Sequence, residues 1–219
     1  MAGKQIQRDK DCPHAAGGQC CGKHHKIMEG GKMNLWETSM QKLAEGNLRF
    51  VAGKPLEKDF VAQRAALVSG QKPHSIIVAC SDSRVPPEHI FDSGLGEIFI
   101  IRNAGNNPTT KYDLGSIEYA AEHLHTPLLV ILGHSSCGAI NATCSGGHAE
   151  GNIAEIVKTL MPAAEMAGKD PSKAVEINVH EIIKNVREKS RIVRELEEKG
   201  ELKVVGAIYS LESGAVRFL

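Results

Sequence analysis

The chain has 219 residues, 42% hydrophobic and 24% charged, which is enough for one domain with a substantial core and short for two. Lys and Arg together number 26, as do Asp and Glu, so the formal net charge is zero. That balance lacks the basic excess of a nucleic-acid binder. No apolar run reaches the ~18 residues of a membrane span, and the chain opens on charges, glycines and histidines in place of an apolar signal core. The expectation is a cytoplasmic protein with neither nucleic-acid nor membrane partner. Its six cysteines then read as thiols or metal ligands, not as a disulfide framework.

Residues 1–33 stand apart as a flexible, Cys/His/Gly-rich arm without helical or strand periodicity, ahead of a folded domain over 34–219. Within the arm, Cys12, His14, Cys20, Cys21, His24 and His25 carry soft donors in no standard zinc spacing. The expectation there is weak metal binding or none. Asn34 and Glu37 have capping-box spacing at the head of a helix over Leu35 to Val51, closed by Gly53 and Pro55. A second short helix covers Phe60 to Leu67. The pattern then changes to short apolar runs, SIIVAC (75–80), EIFIIR (97–102) and PLLVILG (127–133). Unbroken apolarity suits strands buried on both faces of a parallel sheet. A helix over Asp113 to His125 separates the second and third runs, and further helices are expected at 137–144, 150–167 and 173–199, the last stopped by Gly200. LKVVGAIYSL (202–211) reads as a fourth strand and AVRFL (215–219) as a returning edge strand. The predicted fold is α/β: a mostly parallel sheet of about four strands plus a C-terminal edge strand, flanked by helices, with an N-terminal helical arm.

An open α/β sheet places its ligands beyond the carboxyl ends of its strands. The first strand ends in Cys80-Ser81-Asp82-Ser83-Arg84 and the third in Gly133-His134-Ser135-Ser136-Cys137. If those strands are neighbours, two thiolates and one imidazole converge. Two sulfurs and a nitrogen suit Zn²⁺, and three protein ligands leave the fourth position of a catalytic site open. Gly138 permits close backbone approach beside Cys137. Arg84 is placed to pair with Asp82 through two hydrogen bonds and to keep it ionised. Taken singly, each of these residues has a bland reading: a buried small cysteine, a chance H-x-x-C, a loop salt bridge of little worth. Their joint occurrence at two strand ends favours the site.

The block ACSDSRVPPEHIFDSGLGEIFIIRNAGN, with GSIEYA and LVILGHSSCGA after it, closely resembles the β-class carbonic anhydrases. LAEGNLRFVAG upstream and GAIYSLESGAVRFL at the end extend the resemblance over about residues 35–219, as a catalytic domain. The resemblance implies one Zn²⁺ per chain on Cys80, His134 and Cys137, with Asp82 and Arg84 as the catalytic dyad. It implies reversible hydration of CO₂ to bicarbonate and a proton by attack of zinc-bound hydroxide, whose proton Asp82 accepts in a hydrogen bond. A closed state with Asp82 as fourth ligand is left open. Gln71 matches the substrate-binding glutamine of the plant-like type, and Phe99 an aromatic of the CO₂ pocket, beside Gly138. Arg102 and Tyr209 match two members of the Trp-Arg-Tyr cluster of bicarbonate-inhibited relatives, but Ile77 replaces the tryptophan, so no such inhibition is expected. The resemblance also implies a homodimer or higher homo-oligomer, its N-terminal helix lying across the partner and its site near the interface.

Three rivals are weighed against this. Carbonyl sulfide and carbon disulfide hydrolases share the zinc ligands and differ in pocket shape. A zinc-stabilised scaffold would not require Asp82 and Arg84. A redox role for Cys80 and Cys137 lacks C-x-x-C spacing, and GLGEIF lacks the third glycine of a dinucleotide site. His74, His89, His123, His125, His148 and His180 are open candidates for the proton shuttle.

Overall fold

The computed structural model describes residues 34–146 and 149–219. The arm and His148 lie outside the described residues. The first helix, α1 (Leu35–Val51), starts as its sequence predicts, with the Asn34 N–H donating to the Glu37 carboxylate at 2.8 Å. It packs on its own chain: Leu43 is fully buried, and the Asn47 side chain donates to Ile90 O and Gly214 O and accepts from Val216 N–H. One face of the helix is thus buried within the chain, while Leu35 and Leu48 remain exposed on it. Gly46 is required there, because a Cβ would stand 1.9 Å from Phe91 O.

After α2 (Phe60–Ala66) comes β1 (Ser75–Cys80), every residue of which is buried. A four-residue helix, α3 (Pro87–Ile90), leads to β2 (Ile98–Asn103) and a tight turn over Ala104–Asn106. Next is α4 (Lys111–Glu118), whose Asp113 N–H is capped by Thr110 Oγ1 at 3.1 Å. It runs on through a wider π-helical turn, Tyr119–His123, into β3 (Leu128–His134). Then follow α5 (Gly138–Cys144), α6 (Asn152–Met166), α7 (Pro171–Lys189) and α8 (Arg191–Glu198). The expected single helix over 173–199 is thus two. Ser190 leaves helical geometry (φ −107°, ψ 109°) and its hydroxyl accepts from Val193 N–H while donating to Glu118. That polar residue is a better N-cap than a mid-helix position.

The last strands, β4 (Lys203–Tyr209) and β5 (Val216–Phe218), complete a five-stranded sheet in the order β2-β1-β3-β4-β5. Four strands are parallel and β5 is antiparallel to β4. One face buries Ile76, Val78, Leu129 and Ile131 beneath α7 and α8; the other buries Ile77, Ala79, Val130 and Leu132 beneath α1 and the Ile90–Phe91 corner. Burial on both sides explains why β1 and β3 read as unbroken apolar runs. It also makes β1 and β3 direct neighbours, with Ala79 opposite Leu132, so their carboxyl ends emerge side by side. Among the described residues no helix is long and apolar enough to cross a membrane.

Candidate metal centre and active site

Three buried side chains meet where β1 and β3 end. Cys80, the last residue of β1, His134, the last of β3, and Cys137, the N-cap of α5, are 5%, 0% and 1% exposed. Their sulfur and ring-nitrogen atoms lie within 4.8 Å of one another. The turn that brings Cys137 back to His134 depends on Ser136, which adopts a left-handed φ of 54°.

The imidazole is held in one orientation. His134 Nδ1 donates to Ser135 O at 2.9 Å, which leaves Nε2 as the unprotonated nitrogen. That Nε2 is buried and has no hydrogen-bond partner. A buried acceptor left unpaired costs free energy, and a metal ion is the partner its surroundings fit. The sulfurs are electrostatically prepared as well. A hydrogen bond from Cys137, with backbone N–H groups of Asp82 and Gly105 beside it, holds the Cys80 thiol well below the ordinary thiol range despite its burial. The same sulfur–sulfur bond pushes Cys137 above the ordinary thiol range. A divalent cation bound between the sulfurs would displace the proton of that bond. The donor set of two sulfurs and one nitrogen fits Zn²⁺.

Asp82 stands on the loop just beyond Cys80. Its Oδ1 accepts from the Arg84 backbone N–H and from Arg84 Nε, both at 2.9 Å, and its Oδ2 accepts from Nη2 at 2.7 Å. These bonds, Arg84's side chain first among them, hold the carboxyl well below its usual range. Arg84 Nη2 also reaches Ser136 O at 3.4 Å, linking this loop to the one that carries His134 and Cys137.

Other predicted site residues are placed differently. Gly138 opens α5 next to Cys137, exposed, with no atom within 4 Å of where a Cβ would be, so space remains beside the centre. Phe99 is opposite Ile76, four residues before Cys80 along β1, or about 13 Å at strand spacing. There it packs with Tyr119 and the helix-covered core. Gln71 is exposed and lies before β1 begins, at the opposite end from Cys80. Within one chain, neither side chain joins the metal centre, because β1 separates them from it. Tyr209 and Ile77 are buried in the core, and Arg102 donates to the backbone carbonyls of Cys80 and Asp82.

Sequence reasoning missed the groups that hold the ligands. Ser135 supplies the carbonyl that orients His134, and its Oγ accepts from Leu211 N–H at 2.9 Å. Gly105, with a left-handed φ of 79°, turns its N–H onto Cys80 Sγ at 3.4 Å. An A-G-N turn directly after an apolar strand is the one signal that pointed there.

Comparison with known proteins agrees with this geometry. The family described as carbonic anhydrase matches residues 75–216. A relative named carbonic anhydrase 2, from Mycobacterium tuberculosis, is 40% identical over 181 residues, covering 78% of this chain and 87% of that protein. The β-carbonic anhydrase CafA of Aspergillus fumigatus superposes with a TM-score of 0.65 at 29% identity, over 84% of this chain and 90% of that one. One of two tetrameric β-carbonic anhydrases from Sordaria macrospora gives a TM-score of 0.65 at 28% identity, covering 73% and 85%. With its parallel sheet, its paired strand ends and these relatives, the chain belongs to the β class of carbonic anhydrases.

Proposed function

We propose that this carbonic anhydrase hydrates CO₂ through one Zn²⁺ held by Cys80, His134 and Cys137, with Asp82 and Arg84 as the catalytic dyad. The observation that carries the reading is the buried, unpartnered His134 Nε2 among two sulfurs within 4.8 Å. When bound, zinc supplies a nucleophile at neutral pH by lowering the pKa of water from ~15.7 to about 7.

The chain's own residues do the rest. Arg84 keeps Asp82 ionised across the neutral range. Of the carboxylate's oxygens, Oδ1 already accepts two hydrogen bonds and Oδ2 one, so Oδ2 retains a free lone pair. Oδ2 is the atom that accepts the nucleophile's proton in a hydrogen bond and so aims the attacking lone pair at carbon. With both oxygens engaged by Arg84, Asp82 is held as an acceptor in the open state, and a closed state with Asp82 as fourth ligand would use the same Oδ2 lone pair. The open space at Gly138 admits the substrate.

Gln71 and Phe99 serve this site only if they come from a neighbouring copy, since β1 keeps them from the centre of their own chain. The tetrameric relatives support a homo-oligomer, read here with a dimer as the minimal unit and the site at its interface. A cytoplasmic address is part of the same reading.

Metal analysis tests the ligand set. The wild type should hold about one zinc per chain, and Cys80→Ser and His134→Ala should hold little. Cobalt substitution should give sulfur-to-metal charge-transfer bands that Cys137→Ser weakens. Full zinc in the Cys80→Ser and His134→Ala variants would refute the assignment.

A further inference from the structure

We infer that Arg102 is a positioning residue for the active site, clamping the backbone that carries both Cys80 and Asp82; this rests on the proposed zinc and dyad assignment. The sheet ladder between β1 and β2 ends where Ser81 N–H donates to Asn103 O at 3.0 Å. Beyond that bond the chain leaves the sheet while still having to place a ligand sulfur and a carboxylate. Arg102, on β2 opposite Ala79, reaches across from the neighbouring strand. Its Nε donates to Cys80 O at 3.0 Å and its Nη2 to Asp82 O at 2.7 Å. Val85 N–H takes the other lone pair of Asp82 O at 3.0 Å, which closes the turn.

Two carbonyls on either side of Ser81 are thus fixed by one rigid planar group. The guanidinium fork is the side chain suited to this, since its donors are preorganised and cannot be deprotonated. Asp82 is consequently held twice, its carboxylate by Arg84 and its main chain by Arg102. Arg102's hydrogen bonds go to the backbone carbonyls of Cys80 and Asp82 and not to the reacting atoms, so it acts only through the residues it holds. Groups that orient metal ligands in this way typically change metal affinity or activity by ten- to a hundredfold when removed. Arg102 is itself exposed, so truncating it leaves no cavity in the core. The geometry gives Arg102 a structural commitment at the active-site loop in place of a role in binding regulatory bicarbonate.

The test uses the zinc-loaded full chain and compares wild type, Arg102→Ala and Arg102→Lys. Three quantities are read: the rate of zinc loss to a chromophoric chelator, kcat/KM for CO₂ hydration, and the effect on both of millimolar guanidinium. Arg102→Ala should lose zinc about ten- to a hundredfold faster and lose a similar factor in kcat/KM, with an unchanged far-UV circular dichroism spectrum. Guanidinium should restore part of both, and Arg102→Lys, which keeps the charge but not the fork, should fall between. Values within twofold of wild type in both variants would overturn the inference, as would a loss that guanidinium does not rescue in folded protein. Should Arg102→Ala fail to fold, Arg102→Lys alone decides on the same two readings. Cooperative inhibition by bicarbonate that Arg102→Ala abolishes would reassign the residue to an anion site and also overturn it. A wild type that binds zinc without hydrating CO₂ would instead refute the proposed reaction, while the chelator rates would still report on the clamp.

Discussion

Arg84 grips both carboxylate oxygens of Asp82 from two residues away, with Nε 2.9 Å from Oδ1 and Nη2 2.7 Å from Oδ2. The pair forms on an exposed loop, where an ion pair adds little to folding stability. Its consequence is chemical: Asp82 is held in its charged form, and Oδ2 keeps one lone pair that Arg84 does not use.

Replacing Arg84 by Lys should therefore separate function from stability. A lysine offers a point charge in place of the planar fork and cannot hold both oxygens. CO₂ hydration measured by stopped flow should fall by about ten- to a hundredfold, with the thermal midpoint unchanged. An equal loss of thermal stability would show that the pair is structural.

Asp92 sets an acid limit on the fold. The side chain is buried, and burial alone would raise its pKa; hydrogen bonds from Arg49, Lys58 and the Leu56 N–H outweigh that and hold it at about 2. A folded-state pKa below the unfolded value of 3.8 means that the stabilisation is present above that value and is lost as pH falls toward 2. Asp92→Asn should cost roughly 2 kcal/mol at pH 7, having left the half-buried Arg49 and Lys58 without their carboxylate partner. Urea unfolding at a series of pH values should show the gap between variant and wild type closing below about pH 4. A gap independent of pH would mean that the charge of Asp92 is not what stabilises the corner.

At Gly46 two effects oppose each other. Alanine is favoured over glycine inside a helix by about 1 kcal/mol. Against this, the added Cβ would meet the backbone oxygen of Phe91 at 1.9 Å, and backbone cannot turn aside as a side chain can. Overpacking of that kind costs typically 1–3 kcal/mol. Gly46→Ala should accordingly lower the unfolding midpoint, and a rise would show that α1 shifts freely over the corner.

Removing the metal should destabilise the fold, because the three ligands come from the ends of two core strands and the head of α5. A ligand that binds only the folded state at a hundred times its Kd adds about 2.7 kcal/mol. Chelation should lower the thermal midpoint by several degrees and zinc should restore it. Cys80→Ser should lie near the metal-free value and fail to respond to zinc.

The sheet was legible in the sequence because β1 and β3 are buried on both faces, and such strands cannot hide their apolarity. The candidate ligands were legible for a related reason: Cys80 and His134 end apolar strands, and Cys137 follows three residues after His134 at the head of α5. The break between α7 and α8 was not, since Ser190 is tolerated in a helix and its capping role depends on Glu118, distant in sequence. The roles of Ser135 and Arg102 were hidden too, because each acts through backbone carbonyls, whose positions exist only in the folded chain. Gln71 and Phe99 show the reverse case. The resemblance placed them in a substrate pocket, and since β1 separates them from the centre of their own chain, that role would need a neighbouring copy.

The central claim is most directly tested by stopped-flow CO₂ hydration on metal-analysed wild type and Asp82→Asn. Asparagine keeps the size of the side chain but replaces one of the acceptor oxygens with a donor and removes the charge. Wild type should hydrate CO₂ rapidly with about one zinc per chain, and Asp82→Asn should retain its zinc but be about 10²- to 10⁴-fold slower. A zinc-loaded Asp82→Asn variant as fast as wild type would contradict that claim.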